Sequence, residues 1–300
     1  MQQQYDSRNA DIQVWVNGLC HRQEARVSVF DSAVQGGDAV WEGIRIYQGY
    51  AFLLEQHLDR LVESAHALAF AQVPDREEIK QSIFATLQAN HMVDNAHIRL
   101  TLTRGEKITS GMDPRLNQAG CTLIVLAEHK PPVYDNATGI KLITSAIRRN
   151  SPQFLDSKIH HNNLLNNILA KIEANVAGAD DAIMLDHLGF VAETNATNLF
   201  MVKHGTLYTP LPDACLPGLT RKLTLQLAQE LQIPTREKNL SLTEFYNADE
   251  AFATGTMGEL TPIQEIDGRR VINRQEGSVL TQLQTHFRTK ISVYGVKLPF

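Results

Sequence analysis

The chain has 300 residues, 43% of them hydrophobic and 20% charged, with a formal net charge of -5. That length suits one large domain or two of ordinary size, and it buries enough surface to need no metal or disulfide staple. Scattered basic residues exclude a nucleic-acid footprint, no apolar run reaches the roughly 20 residues that span a bilayer, and Cys20, Cys121 and Cys215 lie too far apart for a metal or redox motif.

Residues 12–17 read as a strand that turns at Asn17-Gly18, with a second strand expected at Ala25–Phe30. Gly43–Tyr47 reads as a strand ending in the Gln48-Gly49 turn. From Leu54 to Ala69, Leu58, Leu61, Ala65 and Leu68 recur at helical intervals. Asp75 is placed to cap a helix over Arg76–Ala89. His97–Thr103 and Thr122–Ala127 are apolar enough for interior strands. Residues 130–137, KPPVYDNA, break both patterns and are expected to link a domain at 1–129 to a second at 138–300.

The second half opens with a strand at Gly139–Thr144. A helix follows from Asn163 to about Val176, with Leu165, Ile168, Leu169 and Ile172 on one side. Strands are expected at Ala182–Leu185, Phe190–Ala192, Leu199–Val202 and Leu207–Tyr208. A helix covers Leu219–Leu231. Gln232–Lys238 holds an edge strand at best, because Pro234 lacks a donor. A short helix at Leu242–Tyr246, a strand at Glu250–Thr254, a small-residue turn at Gly255–Gly258 and a terminal helix at Ser278–Tyr294 complete the reading.

Three segments offer anion chemistry. Pro217-Gly218-Leu219-Thr220-Arg221 sits at a helix start, where free N–H groups face outward. Thr254-Gly255-Thr256-Met257-Gly258 combines hydroxyls with glycines that permit close backbone approach. Arg60 lies on a helix within His57-Leu58-Asp59-Arg60. Each is equally compatible with ordinary structure: a helix start, a strand-to-strand turn, a solvated arginine. Lys158 stands in Asp156-Ser157-Lys158-Ile159-His160-His161-Asn162-Asn163, at a strand-to-helix junction. A lysine of lowered pKa forms a Schiff base with a cofactor aldehyde. Glu193 follows a short apolar strand, where a carboxylate suits either a solvated loop or a pyridine nitrogen.

The order of these stretches carries a resemblance. VFDSAVQGGDAVWEGIRIYQG at 29–49, HLDRL at 57–61, IRLTLTRG at 98–105, AIRRNSP at 146–152, NNILAKIEANVAGADDAIMLD at 166–186, GFVAETNATNLF at 189–200, LPGLTR at 216–221 and ATGTMGELTPI at 253–263 resemble the fold-type-IV pyridoxal-phosphate enzymes, and among them the branched-chain aminotransferases. The resemblance covers about residues 11–295. It implies an α+β, two-domain, D-amino acid aminotransferase-like fold. A small N-terminal domain would precede a larger one with a mixed, barrel-like sheet.

It further implies a transaminase that uses pyridoxal 5'-phosphate. The enzyme would move the amino group of a branched-chain or related hydrophobic amino acid to 2-oxoglutarate, by a ping-pong route through a lysine aldimine. Arg60, Leu219, Thr220 and Thr256 match the family's phosphate contacts, and Glu193 matches the partner of the pyridine nitrogen. Thr256, Met257 and Arg99 match positions near the substrate carboxylate, while Trp41 and Gly36 match positions lining the side-chain pocket. A cytoplasmic homodimer that binds amino acids and 2-keto acids, but neither nucleic acid nor membrane, is the expected form. Alternatives within the resemblance are a D-amino acid or amine transaminase and an aminodeoxychorismate lyase. A protein that binds the cofactor without turnover is the alternative from another class.

The chain departs from the family pattern at three places. Two family spellings put the lysine on His160 or on Ile159, so Lys158 is the expected Schiff-base residue only with a local shift. Leu164 replaces the usual tyrosine beside the cofactor hydroxyl. Gly36 replaces a pocket tyrosine, which implies a wider side-chain pocket.

Overall fold

The computed structural model describes residues 5–273 and 277–300. The chain forms two compact units. The C-terminal unit comprises 132–158 and 164–290, and the N-terminal unit comprises the described residues up to Pro131 together with 159–163 and 291–300. Two segments that follow residues 130–137 therefore pack with the first unit, which a single division at that point does not describe.

In the N-terminal unit β1 (Gln13–Val16) and β2 (Leu19–His21) form a hairpin. Asn17, at φ 50°, and Gly18 make the reversal. Two residues suffice for it. The strand expected at Ala25–Phe30 is accordingly replaced by this earlier one, and 25–30 carries no regular structure. Helix α1 (Ser32–Gly36) is capped by Asp31, which accepts from the Ala33 N–H. Strands β3 (Ala39–Tyr47) and β4 (Tyr50–Phe52) are joined by Gln48-Gly49, both at positive φ. Helix α2 (Leu54–Ala67) buries Leu54, Leu58, Leu61 and Ala65. Helix α3 (Arg76–Ala89) opens on a full capping box between Asp75 and Glu78. Strands β5 (Ala96–Thr103) and β6 (Thr122–His129) follow. Alternate residues Val40, Ile44 and Ile46 of β3, Ile98 and Leu100 of β5, and Val125 of β6 share one core with both helices. Glu42 falls on that same side of β3 by the two-residue period.

In the C-terminal unit β7 (Ile140–Thr144) precedes α4 (Leu165–Val176). Then come β8 (Asp181–Leu185), β9 (Val191–Thr194), β10 (Asn198–Lys203) and β11 (Thr206–Thr209). Helix α5 (Leu219–Glu230), β12 (Thr235–Glu237), α6 (Leu242–Tyr246) and β13 (Glu250–Gly255) follow. The sequence reading left out β14 (Glu259–Ile266), to which β15 (Arg269–Arg270) pairs. The expected terminal helix divides into α7 (Val279–Thr289) and α8 (Ile291–Tyr294), and a last strand, β16 (Gly295–Lys297), pairs with β4.

The N-terminal sheet runs β16-β4-β3-β5-β6-β1-β2, and the C-terminal sheet runs β12-β11-β10-β13-β14-β7-β8-β9. The second is mixed: β7 pairs in parallel with both β14 and β8, while β10, β13 and β14 pair antiparallel. It also curls. Four strands separate β9 from β10 in the order, which in a flat sheet is about 24 Å. Yet only Asn195, Ala196 and Thr197 connect them, a reach of about 14 Å. The sheet bends back on itself to satisfy that short link.

Helix α4 differs from its sequence pattern in which side it buries. Leu165, Ile168, Leu169, Ile172 and Val176 are exposed, at 66%, 54%, 39%, 50% and 85%. Ala170 and Ala174 are buried instead, against Ala182 and Met184 of β8. Small residues let the helix backbone approach the sheet closely. Among the described residues no helix is long and apolar enough to cross a membrane. Ala174→Leu should therefore lower unfolding free energy by about 1–3 kcal/mol through overpacking. Asp75→Ala should cost about 1 kcal/mol through the lost cap. Denaturant titration of each variant checks both.

Candidate active site

The expected site residues fall into two groups, one in each unit. In the C-terminal unit, Glu193 is the third residue of β9 and is only 5% exposed. Its carboxylate is gripped from several directions. Arg149 Nε lies 2.7 Å from Oε1, and Asn198 Nδ2 donates to Oε2 at 3.3 Å. The same Asn198 amide donates to the Leu216 carbonyl at 2.8 Å. Burial raises the pKa of Glu193, and the charge of Arg149 opposes that rise without cancelling it. Arg149 is itself buried and donates to Asn167, which reaches on to the Asn195 carbonyl.

Loop 215–218 leads from this carboxylate into α5. Gly218 is the N-cap, in extended conformation, and no side chain caps the helix. The N–H groups of the first turn, from Leu219 on, are thus available to an anion. Thr220 is buried within that turn. Arg221 ties it down by donating to the Pro210 carbonyl at 2.8 Å and pairing with Glu237 at 2.5 Å. A Cβ on Gly218 would meet Asn198 Oδ1 at 2.1 Å, so only glycine fits there. Thr256 and Met257 form the turn between β13 and β14, and the Met257 carbonyl accepts from Val133. Just before the turn, the buried Thr254 Oγ1 has no partner.

Lys158 belongs to the same unit. Its side chain is 44% exposed, with Nζ 3.8 Å from Asp156 Oδ1. The backbone before it is fixed by Ser157, whose hydroxyl donates to the Asn150 carbonyl. The charges of Arg221, Arg149 and Lys158 all act on the buried thiol of Cys215, whose pKa burial pushes up.

In the N-terminal unit, the sequence reading missed the residue around which the others gather. Glu42 is 0% exposed. It accepts from Arg60 Nε and Nη2, both at 2.7 Å, from His57 Nδ1 at 2.6 Å and from His160 Nδ1 at 3.0 Å. Burial alone would raise its pKa; His160 and Arg60 reverse the effect and hold it well below the carboxylate range. Burial lowers the pKa of both histidines, that of His160 to about 4, so each is neutral. A neutral imidazole facing an ionised carboxylate donates through Nδ1 and keeps Nε2 as an acceptor. The signal was legible: a charged residue sits at a core-facing strand position between Val40 and Ile44.

Arg99 stacks over Trp41, with Cζ 3.4 Å from the ring centroid, and donates to Asn162. Burial lowers its pKa to about 10. Trp41 also packs on His160 at a centroid distance of 4.1 Å and donates to the His161 carbonyl. Gly36 ends α1 with nothing within 4 Å of an added Cβ. Segment 159–163 is thus held by Glu42, Trp41 and Arg99, and Asn163 bonds the Gly37 carbonyl. Arg115 pairs with Asp113, and its side chain is 90% exposed.

The histidines make a pH dependence. His160 has a folded pKa of about 4 against an ordinary value of 6.5. The unfolded chain binds more protons in that window, so stability is complete above pH 6.5 and is lost as the pH falls toward 4. Melting temperature should drop across that interval, and His160→Gln should shrink the drop while retaining a donor to Glu42. Glu42→Gln should cost about 3–5 kcal/mol at pH 7, because it strands a buried guanidinium. Thermal and denaturant unfolding read both outcomes.

Comparison with known proteins gives these groups a context. The family model for class IV amino-transferases matches residues 39–266. The branched-chain-amino-acid aminotransferase-like protein 2 of Arabidopsis thaliana is 59% identical over 97% of this chain, and the chain spans 52% of that protein's length. A putative branched-chain-amino-acid aminotransferase of Methanocaldococcus jannaschii is 39% identical over 96% of this chain and 99% of its own. Among solved structures, the Escherichia coli branched-chain amino acid aminotransferase aligns at TM-score 0.87 and 30% identity, over 94% of this chain and 95% of its own. The Thermobaculum terrenum branched-chain amino acid aminotransferase in its PLP-form aligns at TM-score 0.85 and 26% identity, over 97% of this chain and 99% of its own. The chain therefore belongs to the class IV amino-transferase family and has its fold-type-IV architecture.

Proposed function

We propose that the chain is a pyridoxal-phosphate-dependent transaminase that moves the amino group of a branched-chain or related hydrophobic amino acid to 2-oxoglutarate in a ping-pong cycle. One observation carries this reading. A buried carboxylate, Glu193, is joined through the Asn198 amide and the Leu216 carbonyl to the loop that leads into a helix start no side chain caps. The glycine at 218 and the unpartnered Thr254 hydroxyl fit a phosphate-bearing ring held in that unit.

When bound, the cofactor supplies the electron-withdrawing ring that makes a substrate α-proton acidic. Glu193 holds the proton at the ring nitrogen. The first-turn N–H groups of α5 and the Thr220 hydroxyl bind phosphate, and Thr256 adds a hydroxyl. Lys158 is the lysine that binds the cofactor and carries the proton from the substrate α-carbon. In the C-terminal unit the Thr256-Met257 turn is assigned to the substrate carboxylate; in the N-terminal unit Arg99 is assigned to the carboxylate and Trp41 and Gly36 to the substrate side chain. Arg60, whose guanidinium is paired with Glu42 within its own unit, is the remaining residue assigned to phosphate by the resemblance.

Two features refine the proposal. Lys158 is exposed and faces Asp156, which supports the reading of a cofactor-binding protein without turnover. The exposed apolar row on α4 supports a homodimer, because surface rows of that kind mark interaction sites.

Purified protein with pyridoxal 5'-phosphate should show an absorbance band at about 410–430 nm that borohydride abolishes, and Lys158→Ala should lack it. L-leucine or L-valine should convert the band to one at about 330 nm, and 2-oxoglutarate should restore it. Conversion by D-alanine or an aromatic amine alone would redirect the substrate assignment. No conversion by any of them would favour binding without turnover.

A further inference from the structure

Asn198, the first residue of β10, sits between the two ends of the proposed cofactor site. It is 5% exposed. Its Nδ2 donates to the Leu216 carbonyl at 2.8 Å and to Glu193 Oε2 at 3.3 Å. Both partners are acceptors, so the amide orientation is fixed by chemistry: the reverse flip would set oxygen against two oxygens. On its other side, Oδ1 occupies the place a Cβ of residue 218 would take.

One amide thus bonds both the Glu193 carboxylate and the Leu216 carbonyl. Asn198 thereby links the end of β9 to a loop 18 residues further along the chain. Two residues beyond Leu216, Gly218 begins the uncapped turn of α5. Glu193 cannot rotate without moving this loop, and the loop cannot shift without turning Glu193.

We propose that Asn198 is a positioning residue that sets Glu193 and the start of α5 at one fixed spacing, so that the ring-nitrogen end and the phosphate end of the cofactor are gripped as a unit. The inference rests on the cofactor reading above. An amide that merely braced a loop would stabilise the apoprotein without coupling the two ends.

The test measures apoprotein affinity for pyridoxal 5'-phosphate and for pyridoxal, which lacks the phosphate, with the apoprotein melting temperature as a control for folding. A hydrogen bond to a charged group corresponds to about a 10- to 100-fold change in affinity. Asn198→Ala should weaken pyridoxal 5'-phosphate by that factor and pyridoxal by clearly less. With Glu193→Gln, the double variant should lose less than the product of the two single losses, because the variants break one linkage. Should Asn198→Ala fail to fold, Gly218→Ala displaces the same amide and should give the same pattern. Equal weakening of both ligands, independent effects in the double variant, or wild-type affinity in folded Asn198→Ala and Gly218→Ala would each overturn the inference while leaving the cofactor reading intact. If the wild-type chain binds neither ligand, the cofactor reading falls and the inference with it.

Discussion

A carboxylate removed from water stays charged only if enough donors surround it. Among the buried carboxylates of this protein, Glu42 and Glu193 are satisfied differently. Glu42 collects an arginine and two imidazoles and is held fully ionised. Glu193 collects one arginine and one amide, and its proton affinity remains raised. The first is a structural anchor. The second is left with an unmet demand for positive charge, which a protonated ring nitrogen would meet. This difference in donor supply separates a carboxylate held fully ionised from one whose proton affinity stays raised.

Much of the architecture was visible in the sequence because local rules governed it. The capping box at Asp75, the turns at Asn17-Gly18 and Gln48-Gly49, and helix α5 after Pro217-Gly218 were all read from short-range chemistry. Features set by distant partners were not. Strand β14 alternates weakly and contains Pro262, and β16 pairs with a strand from the start of the chain. On α4 the periodicity gave a helix, but its apolar stripe faces outward because close packing on β8 favours the alanine side. Periodicity identifies a face and leaves its occupant open.

The site was legible in the same uneven way. Glu193, Leu219, Thr220, Thr256 and Lys158 were singled out from residue type and order, and all lie in one unit. Glu42 was passed over although its charge at a core-facing strand position was a signal, whereas Arg149 and Asn198 carry no local signature. Their importance comes from what folding brings beside them. The half-length match to the Arabidopsis relative, alongside the full-length match to the archaeal one, shows that this stretch of sequence recurs both as nearly a whole protein and as part of a larger one.

The pairing of β16 with β4 has a bearing on how the molecule is made. Strand β4 ends at Phe52 and β16 begins at Gly295, about 240 residues later. At ribosomal rates of about 5–20 residues per second, the edge of the first sheet waits for about 12–50 seconds for β16. During that interval the backbone N–H and C=O groups of β4 are open to any extended chain nearby. The nascent protein thus carries a timed vulnerability to mispairing, which ends only when residues 295–297 leave the ribosome.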